Sequence, residues 1–340
     1  PCAFLARQPV PAFRKVPAMD ELLDAGAVAT AVLDVVLPVF GIILAGWLCG
    51  RFGILGQASS EALNRFVYFV ALPALFFVSM ARVPAGEVLD LPFLAAFGGG
   101  VAAVALLSLP VSKLVFGNGL GPSGLHALSA TFSNTGYMGI PLLITAFGQE
   151  AALPAIIATV LNGAVVMAIG IAVVEADLAR GRGAARIVLD IAGGVGRSPL
   201  VLSAVAGILA SSLGLLLPTP LVTFCDILGA AAPPAALFAI GLFMVGRSIT
   251  AGLAEVSWLT ALKLLVQPAV TWLLAVPVFG LDPLWATSAV VLAALPTGSL
   301  VFVLASRYGV YVQRATATIL VSTVLSVLTL SVLLGLVGVG

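Results

Sequence analysis

Long runs of apolar residues, separated by short polar connections, fill most of this chain. A helix needs roughly 20 apolar residues to cross a bilayer, and the sequence contains ten runs of about that length. They lie near residues 31–50, 62–81, 91–116, 123–147, 152–175, 198–217, 221–246, 256–279, 284–306 and 314–337. The pattern therefore predicts an all-α integral membrane protein with ten transmembrane helices, numbered here as spans one to ten.

The amino-acid composition agrees with this prediction and excludes several functions. Of the 340 residues, 61% are hydrophobic and only 9% are charged, whereas an ordinary soluble domain carries about 25% charged residues. The net charge of +1 argues against a nucleic-acid partner, which requires a clustered basic face. The three cysteines lie far apart and there is one histidine, so we predict no metal site, no disulfide framework and no cofactor.

The longest polar stretch, 176–197, divides the chain into two halves. We expect a first five-helix repeat over 31–175, a cytoplasmic loop over 176–197 and a second five-helix repeat over 198–340. Residues 1–30 form a predicted N-terminal extension. Because the proline-rich segment 1–18 precedes Met19, we expect the native chain to start at Met19, with a disordered extension as the alternative.

The distribution of basic residues predicts the orientation, because cytoplasmic loops carry an excess of Lys and Arg. A cytoplasmic central loop places eleven of the 15 basic residues on the inner side. These are Arg51, Arg65, Lys113, Arg180, Arg182, Arg186, Arg197, Arg247, Lys263, Arg307 and Arg314. The outer side keeps Arg82 and the three basic residues of the extension, Arg7, Arg14 and Lys15. We therefore expect both termini outside.

Short matches between the two halves predict an internal repeat. The segment 70–77 in span two resembles 231–238 in span seven, and Leu-Ser-Leu-Pro110 in span three resembles Leu-Ala-Val-Pro277 in span eight. Asn134-Thr-Gly in span four likewise matches Pro296-Thr-Gly in span nine. Because five spans per half is an odd number, the halves must be inverted, as in many secondary carriers.

Spans four and nine carry the residues that we expect to form a binding site. Gly, Pro and polar residues interrupt both spans at bilayer depth, and paired interruptions of this kind mark the midplane site of carriers. The predicted substrate-binding residues are Ser133, Asn134, Thr135, Gly136, Gly139, Pro141, Pro296, Thr297, Gly298 and Ser299. We expect the break in span four over residues 134–141, because Gly136 and Gly139 weaken the helix and Pro141 clashes with the turn before it. The alternative is a pair of ordinary proline kinks with small residues for close packing.

The ends of broken helices suggest the charge of the substrate. A half-helix N-terminus carries partial positive charge and free N–H groups, which favour an anion. No Asp or Glu falls at the centre of a span, which weakens a proton relay and leaves sodium coupling or uncoupled transport open.

Five further residues are predicted to support the site. They are Pro73, Pro233, Asn162, Lys263 and Gln267. A sixth residue, His126, is expected to lie outside the site. We expect the two prolines to kink spans two and seven. We expect Lys263 to snorkel to the cytoplasmic surface, with an anion contact or a pairing with Gln267 as the alternatives. For His126 we expect interfacial packing at the cytoplasmic start of span four.

Several motifs resemble the auxin efflux carrier family, in the short-loop bacterial form that includes malonate transporters. They are 37–46 in span one, Phe69-Val-Ala-Leu-Pro73 in span two, Asn134-Thr-Gly-Tyr-Met-Gly-Ile-Pro-Leu142 in span four and Ala294-Leu-Pro-Thr-Gly298 in span nine. The resemblance implies two inverted repeats whose broken fourth and ninth helices cross at the substrate site, similar to the bile-acid–sodium symporter fold. Family members often have an asparagine where this chain reads Leu300.

These observations lead to one main functional hypothesis and three alternatives. The main hypothesis is a multi-pass secondary transporter of the bacterial inner membrane that moves a small organic anion, such as a malonate-like dicarboxylate, by alternating access, with Na+ or H+ as candidate coupling ions. The alternatives are a sodium-coupled symporter of a larger amphipathic anion, a channel or a sensor. A membrane enzyme is not expected, because no convergent nucleophiles or carboxylate pair are visible. A homodimer is one assembly left open.

Overall fold

The computed structural model describes residues 37–82, 90–178, 197, 199–247 and 252–337, and these residues are almost entirely helical. The predicted extension 1–30, and all of the predicted loop 176–197 beyond 178 except Arg197, lie outside the described residues. The helices are α1 (Leu37–Arg51), α2 (Gln57–Ala81), α3 (Leu91–Leu114), α4 (Leu120–Thr131), α5 (Thr135–Phe147), α6 (Ala152–Leu161, continued by Asn162–Val166 and Met167–Leu178), α7 (Pro199–Ser212), α8 (Thr219–Met244), α9 (Leu253–Val278), α10 (Pro283–Ala294), α11 (Leu300–Tyr308) and α12 (Val312–Val337).

Five of the described helices are long and apolar enough to cross a membrane by length and composition. They are α2, α3, α8, α9 and α12, with 24 to 26 residues each. The shorter apolar helices include α4 and α5, which together cover the predicted fourth span, and α10 and α11, which cover the ninth. An all-helical membrane protein is therefore the fold class that the structure supports.

Aspartate and proline together fix the start of two of these helices. Asp90 accepts a hydrogen bond from the Phe93 amide at 2.8 Å, and Asp282 accepts one from the Leu284 amide at 3.0 Å. A proline follows each aspartate within two residues, at a helix position where its missing N–H costs nothing. These caps begin α3 and α10.

The helices form two groups that pack side by side. One group contains α1, α2, α7 and α8, and the other contains α3 to α6 and α9 to α12. Within the first group, glycines allow the backbones to approach closely: a Cβ built on Gly241 of α8 would lie 1.9 Å from the Ile43 carbonyl oxygen of α1, and one on Gly207 of α7 would lie 2.5 Å from the Phe77 carbonyl oxygen of α2. Small residues thus hold this group together, as is usual between membrane helices.

Proline explains most of the π-helical turns in the described helices. The turns Val67–Ala71, Thr135–Gly139 and Leu262–Val266 each end two residues before a proline, and Leu274–Val278 contains one. Proline lacks an N–H and clashes with the preceding turn, and a wider turn accommodates it without ending the helix. Pro73 therefore follows a π turn inside α2, and α8 runs through Pro233 without interruption.

Candidate functional site

The two interrupted helices meet at their breaks. The linker 132–134 between α4 and α5 runs antiparallel to the linker 295–299 between α10 and α11, and Ser133 pairs with Thr297. The Asn134 amide donates to the Pro296 carbonyl, and the Gly298 amide donates to the Phe132 carbonyl, each at 2.9 Å. Backbone groups that leave a helix inside a membrane must find partners within the protein, and here each linker satisfies the other.

The break in α4–α5 lies a few residues before the position predicted from sequence. The non-helical residues are Phe132 to Asn134, whereas Gly136, Gly139 and Pro141 all lie inside α5. A Cβ on Gly139 would lie 2.7 Å from the Leu292 side chain of α10, so this glycine permits close packing. Pro141 occupies the first α-helical turn after the π turn, where proline is tolerated. The break predicted over residues 134–141 is therefore correct only at Asn134, since residues 135–141 are helical.

A small cavity of about 40 Å³ lies against the crossing. Its volume accommodates about one water molecule, whose share of the liquid is about 30 Å³. Both helix groups line it, because Tyr68 and Leu72 of α2 and Leu200 of α7 face the crossing. The other lining residues are Phe132, Ser133, Asn134, Thr135, Gly136, Tyr137, Thr159, Gly163, Gly298, Ser299 and Leu300.

The structure brings six of the predicted binding residues to this cavity and places the other four elsewhere. The six are Ser133, Asn134, Thr135, Gly136, Gly298 and Ser299. Thr297 is fully buried, and its hydroxyl donates to the Ser129 carbonyl at 2.7 Å while its amide donates to the Ser322 hydroxyl. Pro296, Gly139 and Pro141 do not line the cavity. Thr297 and Pro296 therefore form part of the crossing itself and do not face the cavity.

Two helix N-termini bring partial positive charge to the cavity. The N-termini of α5 and α11, at Thr135 and Leu300, both reach the cavity. A helix N-terminus carries about half a positive charge. Two such ends, in a cavity that Ser299 and Asn134 also line, form an environment suited to a small anion.

Asn162 of α6 supports the first linker from outside the cavity. Its side-chain amide is buried and donates to the Ser133 carbonyl at 3.2 Å and to the Thr135 hydroxyl at 3.3 Å. Its amide oxygen has no protein partner, and neither does the Ser133 hydroxyl. Asn162 is therefore hydrogen-bonded to the first linker and does not line the cavity.

A second cavity, of about 220 Å³, lies between α1, α5 and α8. Pro141 and Pro233 line it, with Thr145 as the only polar side chain among apolar neighbours. Pro73 lines neither of these cavities. This second cavity therefore offers far fewer hydrogen-bond donors to an anion than the crossing does.

Lys263 and Gln267 lie inside the protein, one turn apart on α9. Lys263 is 0% exposed, so the prediction that it snorkels to the surface is wrong. Its ammonium donates to the Ala293 carbonyl at 2.5 Å, while the Gln267 amide donates to the Thr131 carbonyl at 3.2 Å. The two side chains thus cap the C-terminal ends of α10 and α4, where carbonyls lack intrahelical partners.

A buried polar cluster around Glu255 lies at the start of α9. One carboxylate oxygen of Glu255 accepts hydrogen bonds from Asn118 at 2.7 Å and Tyr311 at 2.5 Å, and it contacts His126 Nδ1 at 2.7 Å. The other oxygen pairs with Arg314 at 3.1 Å. His126 is fully buried, so the expectation of interfacial packing is wrong: its ring is fixed by Glu255 from the other half of the chain.

Tyr311 lies in the short connection between α11 and α12. Burial raises the pKa of its phenol, and the hydrogen bond to the Glu255 carboxylate raises that pKa further, against the opposing effect of Arg314. The phenol is therefore a neutral donor to Glu255. Sequence reasoning missed this cluster because its five members are spread from residue 118 to residue 314.

No group of three or more His, Cys, Asp or Glu side chains in the described part of the chain is arranged to hold a metal ion. The Glu255 cluster contains one carboxylate and one imidazole, which is too few for a protein metal site.

The sequence resembles known proteins along most of its length. Residues 31–184 and 195–334 match the family described as Membrane transport protein. A Rhizobium meliloti protein named "Putative malonate transporter" is 33% identical over 309 residues, which cover 91% of this chain and 97% of that protein. An uncharacterised transporter of Methanocaldococcus jannaschii is 30% identical over 39% of this chain and 46% of its own length. The lysosomal cholesterol signaling protein of Mus musculus is 32% identical over 34% of this chain and 13% of its own length.

Proposed function

This chain belongs to the Membrane transport protein family, the auxin efflux carrier family whose motifs it shares, and we propose that it is a secondary carrier of a small organic anion. The observation that carries the proposal is the pair of helix N-termini, α5 and α11, that meet at the cavity beside the crossing. Their partial positive charges and free N–H groups favour a carboxylate.

A malonate-like dicarboxylate is the substrate that we propose. The Rhizobium meliloti relative is named for malonate, and two N-termini facing one cavity would suit an ion with two carboxylates. Asn134 and Ser299 would donate directed hydrogen bonds to them. Leu300, where the resembling family often has asparagine, adds no donor, so we assign the adjacent Ser299 to that role.

Alternating access is the mechanism that we propose for moving the anion. The cavity of about 40 Å³ has room for about one water and would have to widen to admit a dicarboxylate. It lies between the two helix groups, with Tyr68, Leu72 and Leu200 on one wall and the crossing on the other. Movement of one group against the other would open it to either side of the membrane.

We propose the ten-span topology with two inverted repeats, 31–175 and 198–340, as the framework for this movement. The order of helices supports it: in each half, the described part has three apolar helices, then an interrupted helix, then a long one. The excess of basic residues on one side supports placing both termini outside and the central loop in the cytoplasm of a bacterial cell.

Uptake by reconstituted protein tests the proposal. Vesicles should accumulate labelled malonate or a related acid in a saturable manner, and Asn134→Ala and Ser299→Ala should each lower uptake by about tenfold, the effect of losing one hydrogen bond to a charged group. Ser212→Ala is the matched control, because this exposed hydroxyl bonds only to its own helix at the Ile208 carbonyl. A broad panel of acids without uptake or binding would contradict the anion proposal.

Sodium-coupled symport is the second candidate. The observation in its favour is that Ser133, Asn162 and Gln267 each leave a buried oxygen without a protein partner near the crossing, and oxygen atoms are the ligands of alkali-metal and other hard cations. Comparing uptake in sodium and in sodium-free buffer separates the two candidates. Single-channel conductance in place of saturable flux would instead indicate a channel.

A further inference from the structure

Lys263 is a lysine buried inside the helix bundle beside the crossing. Its side chain is fully buried, and its ammonium donates to the carbonyl of Ala293, the penultimate residue of α10. One turn further along α9, Gln267 reaches the carbonyl of Thr131, the last residue of α4. The polar face of α9 thus contacts the C-terminal ends of both half-helices that point into the crossing.

The partial negative charges of these helix ends favour a cation beside them. Each helix C-terminus carries about half a negative charge, so the ends of α4 and α10 together place about one negative charge in the membrane interior. No carboxylate of the described residues pairs with Lys263. Charged side chains inside membranes pair with one another or with backbone carbonyls, and Lys263 does the latter.

The first half of the chain supplies no equivalent charge. When Pro110 of α3 is aligned with Pro277 of α9, Lys263 corresponds to Ala96 and Gln267 corresponds to Gly100. Ala96 is fully buried, and a Cβ on Gly100 would lie 2.1 Å from the Thr271 hydroxyl of α9. The α3 position is therefore closed by direct helix packing, and the lysine of the second half has no charged counterpart there.

We propose that Lys263 is a built-in cation that occupies the place of a coupling metal ion at these carbonyls, so that the carrier works without sodium. The inference rests on the proposed carrier function and specifies its ion coupling. Lys263 is a positioning residue in this scheme: it balances the carbonyl ends of α4 and α10 on one side of the crossing, while the N-termini of α5 and α11 remain available to the anion on the other.

Thermal unfolding of the purified protein tests the inference without any substrate. The melting temperature of the wild type should be the same in sodium chloride as in choline chloride at equal ionic strength. Lys263→Ala should melt about 5 °C lower in choline, and sodium or methylammonium should recover most of that loss by occupying the vacated place. Lys113→Ala is the matched control, because Lys113 is an exposed lysine on α3 and its loss should create no sodium response.

Uptake measurements extend the test to transport. Wild-type uptake should be unchanged when N-methylglucamine replaces sodium. Lys263→Ala should lose roughly fivefold to thirtyfold in uptake, the range expected for removing a charge from helix ends, and methylammonium should restore it. A purely structural role for Lys263 would predict no rescue by small cations.

Several results would overturn the inference. One is a wild-type melting temperature that rises with sodium but not with choline, a measurement that requires no variant to fold. Others are a Lys263→Ala protein that shows no response to sodium or methylammonium, and full uptake by Lys263→Gln. If the wild type moves no acid but the melting results are as expected, the carrier function is contradicted and the role proposed for Lys263 is not.

Discussion

Glu255 gathers more polar partners than any other carboxylate among the described residues, and each comes from a different part of the chain. Asn118 follows α3, His126 belongs to α4, Tyr311 precedes α12 and Arg314 lies in its first turn. A buried charge is costly unless polar partners satisfy it, and a fully satisfied network makes its surroundings rigid. The cluster therefore fixes α4 and α12 relative to α9 at one end of the bundle.

Removal of Glu255 should destabilise the protein strongly. Glu255→Ala leaves the buried His126 and its neighbours without their acceptor, and losing one partner of a buried ion pair costs about 3–5 kcal/mol. Thermal unfolding in detergent measures this change. Asp226→Ala is the control, because its pair with Arg82 is half exposed and should be worth less than about 1 kcal/mol. Equal losses in the two variants would contradict the structural role of the cluster.

Individual site residues could be predicted from sequence only where the chemistry was local. Ser133, Asn134 and Ser299 stand beside the helix breaks, and they do line the cavity. Lys263 was placed at the surface because a lysine near the end of an apolar span usually reaches water. Its actual partner, the Ala293 carbonyl, belongs to a helix end that exists only after the fold has formed.

At the scale of helices, small residues determine how closely neighbouring elements approach. Glycine and proline in an apolar span can signal either a break or close packing. In α5 they signal packing, since Gly139 faces Leu292 and the break falls earlier, at Phe132. The existence of both interruptions was predictable from composition, whereas their position depended on the partner linker that satisfies their backbone groups.

The contact between α1 and α8 provides a prediction at this scale. Gly241→Ala would place a methyl group 1.9 Å from the Ile43 carbonyl oxygen, so the two helices must separate, with an expected cost of about 1–3 kcal/mol. Gly41→Ala in α1 has no atom within 4 Å and should be neutral or slightly stabilising. Melting temperatures of the two variants provide the comparison, and a harmless Gly241→Ala would contradict the close packing.

At the scale of the whole molecule, the cavity separates two groups of helices that should move relative to each other. Leu72 of α2 belongs to one group and Gly136 of α5 to the other, and a Cβ on Gly136 would lie 3.9 Å from the Leu72 side chain. A covalent link between these positions should therefore hold the cavity in its present closed form.

Cross-linking tests this movement. In a background where Cys2, Cys49 and Cys225 are replaced by alanine, Leu72→Cys with Gly136→Cys should lose uptake after treatment with a short bifunctional thiol reagent. The same reagent should lower the uptake of each single-cysteine variant much less than that of the double variant. Transport that continues in the linked protein would show that the two groups need not move apart.

The backbone pairing at the crossing also has a consequence for biogenesis. The amide of Asn134 and the carbonyl of Phe132 receive their partners from Pro296 and Gly298, which the ribosome adds about 160 residues later, on the order of 10–30 s of synthesis. Until then, these two backbone groups lack the partners that they have in the complete structure. The crossing can therefore form only after the second half of the chain has been translated.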